Sequence, residues 1–119
     1  MLVLQSLWGW FESLRSAAEQ ASTHGFDGLE CNVMHPCLQG VDAAEVRQLL
    51  SAHGLVLILE ITTGGDYTPD LADGPQRHLQ QLEDLLGRAH ALEPLKINLI
   101  IGSDSWPEPE QHRFLEAVL

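Results

Sequence analysis

Two segments of this chain end a helical pattern on His-Gly and run straight into an apolar stretch that closes on glutamate: Thr23-His24-Gly25-Phe26-Asp27-Gly28-Leu29-Glu30 and Ala52-His53-Gly54-Leu55-Val56-Leu57-Ile58-Leu59-Glu60. Self-similarity at about thirty residues, with one helix and one strand per copy, is the mark of a βα array. That restricts the fold to α/β with a parallel sheet, because a helix between successive strands forces a crossover rather than a hairpin.

The rest of the chain fits four such units. Leu2 to Trp8 reads as a first, largely apolar strand, and Leu14, Ala17, Ala18 and Ala21 then recur at the spacing of a helix face. Gly25 stops that helix in the left-handed conformation that glycine tolerates. The second strand centres on Gly28 to Asn32, and Asp42 with Glu45 forms a capping-box-like start to a helix carrying Val46, Leu49 and Leu50. Leu55 to Ile61 is the clearest strand, a continuous run of the kind expected where helices cover both faces. A long polar loop from Thr62 to Pro69 follows, then a helix opened by Gly74-Pro75 with Leu79, Leu82, Leu86 and Ala89 on one side. Lys96 to Ile101 is the fourth strand, and a Pro107-led helix with Phe114, Leu115 and Val118 closes the sequence.

Four parallel strands in sequential order leave the first and the fourth as apolar edges, which natural sheets avoid exposing. The pattern therefore predicts a partial (βα)4 domain over residues 1–119, completed by further chain or by a second copy.

Composition narrows the partners. Six basic and 17 acidic residues give a formal charge of -11, a field that repels nucleic-acid backbones and anionic membrane surfaces. No apolar run approaches the ~18 residues of a membrane span, and Met1 leads into the first strand without a basic n-region, so a cytoplasmic setting is expected. Cys31 and Cys37 match neither a CxxC motif nor the usual zinc spacings, and read as two ordinary buried thiols.

In a βα array, side chains at the C-terminal strand ends converge on one rim, where barrel enzymes place their sites. Here that rim holds Trp8 and Trp10, then Glu30 and Asn32, then Glu60, Thr62, Asp66 and Tyr67, and last Ser103, Asp104, Ser105 and Trp106. Glu30 and Glu60 serve either as solvated or ion-paired scaffold charges or as ligand contacts, since a carboxylate at the end of a buried strand needs water, a partner or a bound group. Trp8, Trp10, Tyr67 and Trp106 can stack on a sugar face or lid the core. His24 and His53 precede helix-ending glycines and read as caps on free carbonyls. His78, His90 and His112 read as helix-surface residues without zinc-ligand spacing. His35 lies in a loop on the rim, and neither Gly64-Gly65 nor Gly102-Ser103 matches a nucleotide-binding loop.

The Gly-Phe-Asp-Gly-Leu-Glu segment at residues 25–30, with Lys96-Ile97-Asn98 and Gly102-Ser103-Asp104-Ser105-Trp106, resembles the amino-terminal half of the xylose isomerase-like TIM barrels, the sugar phosphate isomerase/epimerase superfamily. The resemblance spans essentially the whole chain and makes the partial (βα)4 domain half of a (β/α)8 TIM barrel. It implies an isomerase or epimerase of sugar metabolism that uses a divalent metal (Mn, Mg, Zn or Co) to polarise a sugar or hydroxy-carbonyl substrate. It also implies that metal ligands come mostly from strands five to eight, so that this half supplies substrate-side residues: Trp8, Glu30, Glu60, Thr62, Asp66, Tyr67, Asp104 and Trp106. Two departures stand out. Ile100 occupies a strand-four place where relatives commonly carry histidine, and the acidic charge and histidine pattern set the chain apart from endonuclease IV, the DNA-gripping member. The alternative is a non-catalytic half-barrel, a scaffold or binding module that forms a homodimer through its open sheet edges. A flavodoxin-like domain is a weaker option, since the phosphate loop after its first strand is missing.

Overall fold

The alternation of helical and apolar runs resolves, in a computed structural model describing residues 1–64 and 72–119, into four consecutive βα units. They are β1 (Leu4–Ser6), α1 (Leu14–Thr23), β2 (Gly28–Asn32), α2 (Ala43–Ala52), β3 (Val56–Thr62), α3 (Pro75–Ala91), β4 (Lys96–Ile100) and α4 (Glu108–Val118), with a single 3-10 turn, Pro36–Leu38, between β2 and α2. The strands form one parallel sheet in the order β1-β2-β3-β4. This is the arrangement of half a (β/α)8 barrel, as the repeat and the resemblance together predict.

Local chemistry sets the helix ends. The Ser13 hydroxyl accepts from the Ser16 amide and Asp42 Oδ2 accepts from the Ala44 amide, each relieving a free donor of the first turn. At the other ends, Nδ1–H of His24 donates to the Gln20 carbonyl at 2.8 Å and Nδ1–H of His53 to the Leu49 carbonyl at 2.9 Å. Gly25 and Gly54 follow with φ of +75° and +65°. The repeated His-Gly pair is thus a capping device in both copies.

Register divides the sheet into two unlike faces. Leu29, Cys31, Leu57, Leu59 and Ile61 point to one side and are all buried, packed with Ala17, Ala18 and Ala21 of α1, Val46 and Leu50 of α2, and Leu82 and Ala89 of α3. Burying each such leucine or isoleucine contributes about 1.5–3 kcal/mol, so this layer holds the fold together. On the other side the paired positions run Ser6–Glu30–Ile58–Lys96 and Asn32–Glu60–Asn98 across the strands. Here β3 departs from expectation. Its burial alternates, with Val56, Ile58 and Glu60 only half-buried, because helices cover one face alone and the other opens onto a hollow.

The edges also differ from fully buried strands. β1 covers only Leu4–Ser6 of the predicted Leu2–Trp8 run, leaving Leu2 and Val3 52% and 48% exposed, and at the far edge Leu99 and Ile100 are 42% and 48% exposed. Asp27 of the repeat secures β1, its Oδ2 accepting from the Val3 amide at 2.7 Å while its own amide donates to the Val3 carbonyl. Gly28 is required by crowding: a Cβ there would meet the Val56 carbonyl, Val56 Cγ2 at 2.6 Å and Leu4 Cδ2 at 2.8 Å.

His78 contradicts its expected surface position. It is fully buried, because the inward face of α3 runs through His78, Leu82 and Ala89: the last two belong to the expected stripe, but in the first turn His78 is buried and Leu79 only half-buried. No described helix is long and apolar enough to cross a membrane.

Candidate functional site

The C-terminal ends of β1, β2 and β3 open into a cavity of about 790 Å³. Of the expected rim residues, Trp8, Glu30, Glu60 and Thr62 line it together. Strand alternation explains the grouping: Ser6, Glu30, Asn32, Glu60 and Thr62 occupy same-face positions, so all project away from the helix-covered side. Glu60 is level with Asn32, and Glu30 lies one same-face step lower on the adjacent strand, which puts the two glutamate Cα atoms about 8 Å apart from sheet spacings alone.

Asn32 organises the floor. Its Oδ1 accepts from the Met34 amide at 2.9 Å, which fixes the amide orientation and leaves Nδ2 to donate to Thr62 Oγ1 at 3.1 Å and toward Glu60 Oε1 at 3.4 Å. The β2 and β3 ends are tied at the level of the cavity. Trp8 stands above, 74% exposed, and lines the cavity mouth, where an indole can cover an apolar sugar face.

Helix α3 supplies a wall that strand-end reasoning did not find. Gln81, Asp84, Leu85 and Arg88 line the cavity, and Gln81 is held by accepting from the Gly64 amide at 2.6 Å. Arg88 reaches over to Met34 Sδ and to Gln39 Oε1, bracing α3 against the loop after β2. Its helical spacing with Gln81 and Leu85 is visible in the sequence, but which side of α3 meets the rim depends on tertiary packing. Among the described residues the walls thus carry the acids Glu30, Glu60 and Asp84 against the single guanidinium of Arg88. Carboxylates, an amide and a hydroxyl beside an indole suit a neutral polyhydroxylated ligand better than a strongly anionic one.

His35 has firm partners. Nε2 lies 2.9 Å from the Leu7 carbonyl and must donate to it, so in the neutral ring Nδ1 is the acceptor, 2.9 Å from Cys37 Sγ and 3.1 Å from the Cys37 amide. Cys31 and Cys37 are free and buried, as expected, but each thiol is the largest influence on the other's ionisation. Spacing concealed this because the 3-10 turn folds Cys37 back toward the end of β2.

The remaining expected residues lie elsewhere. Asp104 is exposed in the turn after β4 and Trp106 is 6% exposed, and neither lines the cavity. Trp106 packs edge-on to His78 with ring centroids 4.7 Å apart and to Phe114 at 5.1 Å, its Nε1–H donating to the Asp73 carbonyl at 3.0 Å. Of the two roles open to this tryptophan, the packing is that of a core lid. The Gly102 amide donates to Thr63 Oγ1, leaving the hydroxyl proton for His78 Nδ1 at 2.8 Å. Burial lowers the His78 pKa, with Asp73 opposing. Asp66 and Tyr67 lie outside the described residues.

Among the described residues no group of three or more His, Cys, Asp or Glu side chains is arranged to hold a metal ion. Glu30 and Glu60 do not form a metal cage with their described neighbours. Comparison with known protein families and with curated protein sequences finds no match to this chain.

Proposed function

We propose that the chain is the amino-terminal, substrate-side half of a sugar or sugar-phosphate isomerase/epimerase-like TIM barrel, working in the cytoplasm on a small sugar or hydroxy-carbonyl compound. The observation that carries this reading is the convergence of Trp8, Glu30, Asn32, Glu60 and Thr62 on one cavity at the C-terminal ends of the strands. In this role Glu30 and Glu60 accept hydrogen bonds from ligand hydroxyls, Asn32 and Thr62 keep the floor in register, and Trp8 covers a C–H face of the sugar ring. The divalent metal implied by the family resemblance would be held by four further βα units and would polarise the substrate carbonyl.

The test is a titration of isotopically labelled protein with aldoses, ketoses and their phosphates, read by amide and indole NMR shifts. Saturable shifts clustered at Trp8, Glu30, Asn32 and Glu60, weakened at least ~10-fold in Glu30→Gln, are expected, that being the cost of about one charge-assisted hydrogen bond. Shifts absent for every sugar, or scattered over the surface, would remove the reading.

A second reading is favoured by the exposed apolar side chains at both sheet edges, Leu2 and Val3 beside β1 and Leu99 and Ile100 on β4. In it the chain is a non-catalytic half-barrel that pairs with a second copy, β4 of each meeting β1 of the other around a two-fold axis. Sedimentation at micromolar concentration then gives a dimer that Ile100→Lys dissociates; a concentration-independent monomer rejects it.

A further inference from the structure

We propose that Cys31 and Cys37, with His35 beside them, form a peroxide-reactive dithiol that closes to an intramolecular disulfide in the wall of the rim cavity. Three placements support this independently of the sugar-binding reading. The two thiols lie close enough that each is the largest influence on the other's ionisation, Cys37 Sγ lies 2.9 Å from His35 Nδ1, and the pair sits between two hollows. Cys31 borders the rim cavity at the end of β2 with its thiol on the helix-covered face, while Cys37 lines a second hollow of about 530 Å³ beside Trp10, Phe11 and Glu45, so a small oxidant can approach Cys37 from the side away from the strand ends.

The two sulfurs are chemically unequal. A hydrogen bond from Cys31, followed by the charge and hydrogen bond of His35, holds the Cys37 thiol down at about 7 against the opposing effect of burial. Cys31 moves far above the ordinary thiol range because it donates to Cys37, is buried, and faces the negative charges of Cys37, Glu30 and Glu60. One sulfur is poised as nucleophile and the other as protonated resolving thiol.

The oxidant is a hydroperoxide, hydrogen peroxide in the simplest case. Cys37 gives its proton to His35 Nδ1, and the thiolate attacks one peroxide oxygen. The S–O bond forms as O–O breaks, and the departing hydroxide takes the proton from His35 to leave as water. The Cys31 sulfur then attacks the sulfenic sulfur of Cys37, the S–S bond forms as S–O breaks, and the leaving hydroxyl departs with the Cys31 proton as a second water. Two thiols lose two electrons and one peroxide gains two. The bond draws the one-turn Pro36–Leu38 helix toward the end of β2 and takes Cys37 Sγ away from His35, so the cavity wall at Met34 to Pro36 is the part that responds.

Hydrogen peroxide is added to the intact 119-residue chain, followed by mass spectrometry and free-thiol counting. The expected product is a monomer lighter by two hydrogens with both thiols lost together, restored by dithiothreitol. In Cys31→Ser a dimedone-trappable sulfenate collects on Cys37, while in Cys37→Ser the remaining thiol reacts at least ~10-fold more slowly, as a buried protonated thiol does. Iodoacetamide alkylation of wild-type Cys37 has its midpoint near pH 7 and moves up in His35→Ala, a shift that a merely structural histidine would not produce. Equal reactivity of the two thiols, oxygen adducts without the lighter product, or only intermolecular disulfide overturns the proposal; the wild-type product alone decides it if a variant fails to fold.

Discussion

Past the last rungs of β2 and β3 the chain presents Asn32 and Glu60, half-buried and turned toward a cavity, whereas past β4 it brings a buried Trp106 against His78 and Phe114. Both regions follow strands of the same sheet and both contain a histidine bonded to a side chain, yet one is an open polar wall and the other a closed aromatic corner. The difference lies in what the loop after each strand carries. After β2 the loop turns back through one 3-10 turn and keeps His35 at the cavity edge, while after β4 it delivers an indole large enough to fill the gap between α3 and α4. The polar cavity and the aromatic packing thereby occupy different corners of one rim.

Trp106→Ala is expected to break this division most severely. Emptying a buried indole site costs about 3–5 kcal/mol, seen as a large fall in the urea midpoint, with sugar-induced shifts at Glu30 and Glu60 kept in whatever fraction remains folded. If those shifts vanish from the folded fraction, the two corners are not independent.

Acid is expected to act next, and on the aromatic corner alone. An unfolded imidazole titrates near 6.5, and burial sets His78 below that in the fold. Between the two values the unfolded chain binds more protons, so the contribution of a neutral His78 is complete above about pH 6.5 and is lost as pH falls through the folded value. Urea midpoints measured from pH 7.5 to 5 should decline in the wild type and much less in His78→Gln; equal slopes would assign the acid loss to other groups.

Glu60→Gln is expected to disturb stability least, by under ~1 kcal/mol, since the side chain is half-buried and the change is isosteric. Its effect should appear instead as weakened sugar shifts. A stability loss rivalling that of Trp106→Ala would show Glu60 to be a scaffold charge and blur the contrast between the corners.

What was readable in the sequence follows the same division. The βα repeat, the His24 and His53 caps and the grouping of Glu30, Glu60 and Thr62 depend on periodicity and on partners at most four residues away, or on the alternation of strand side chains, and these are local rules. His78 was misplaced because its surroundings are distant in the chain: Thr63 is 15 residues back, and Trp106 belongs to the next βα unit. The thiol pair was hidden for another reason, since a five-residue gap matches no motif until a 3-10 turn folds it back. Arg88 and Gln81 entered the cavity wall only once helix packing had decided which side of α3 meets the rim.

Gly28 carries a consequence for the spacing of the strands beneath the cavity. Val56 and Leu4 converge on the spot where its side chain would stand, one same-face step below Glu30. Any larger residue at position 28 would press against both neighbouring strands, so the separation at which Glu30 faces β1 and β3 depends on a side chain that is missing.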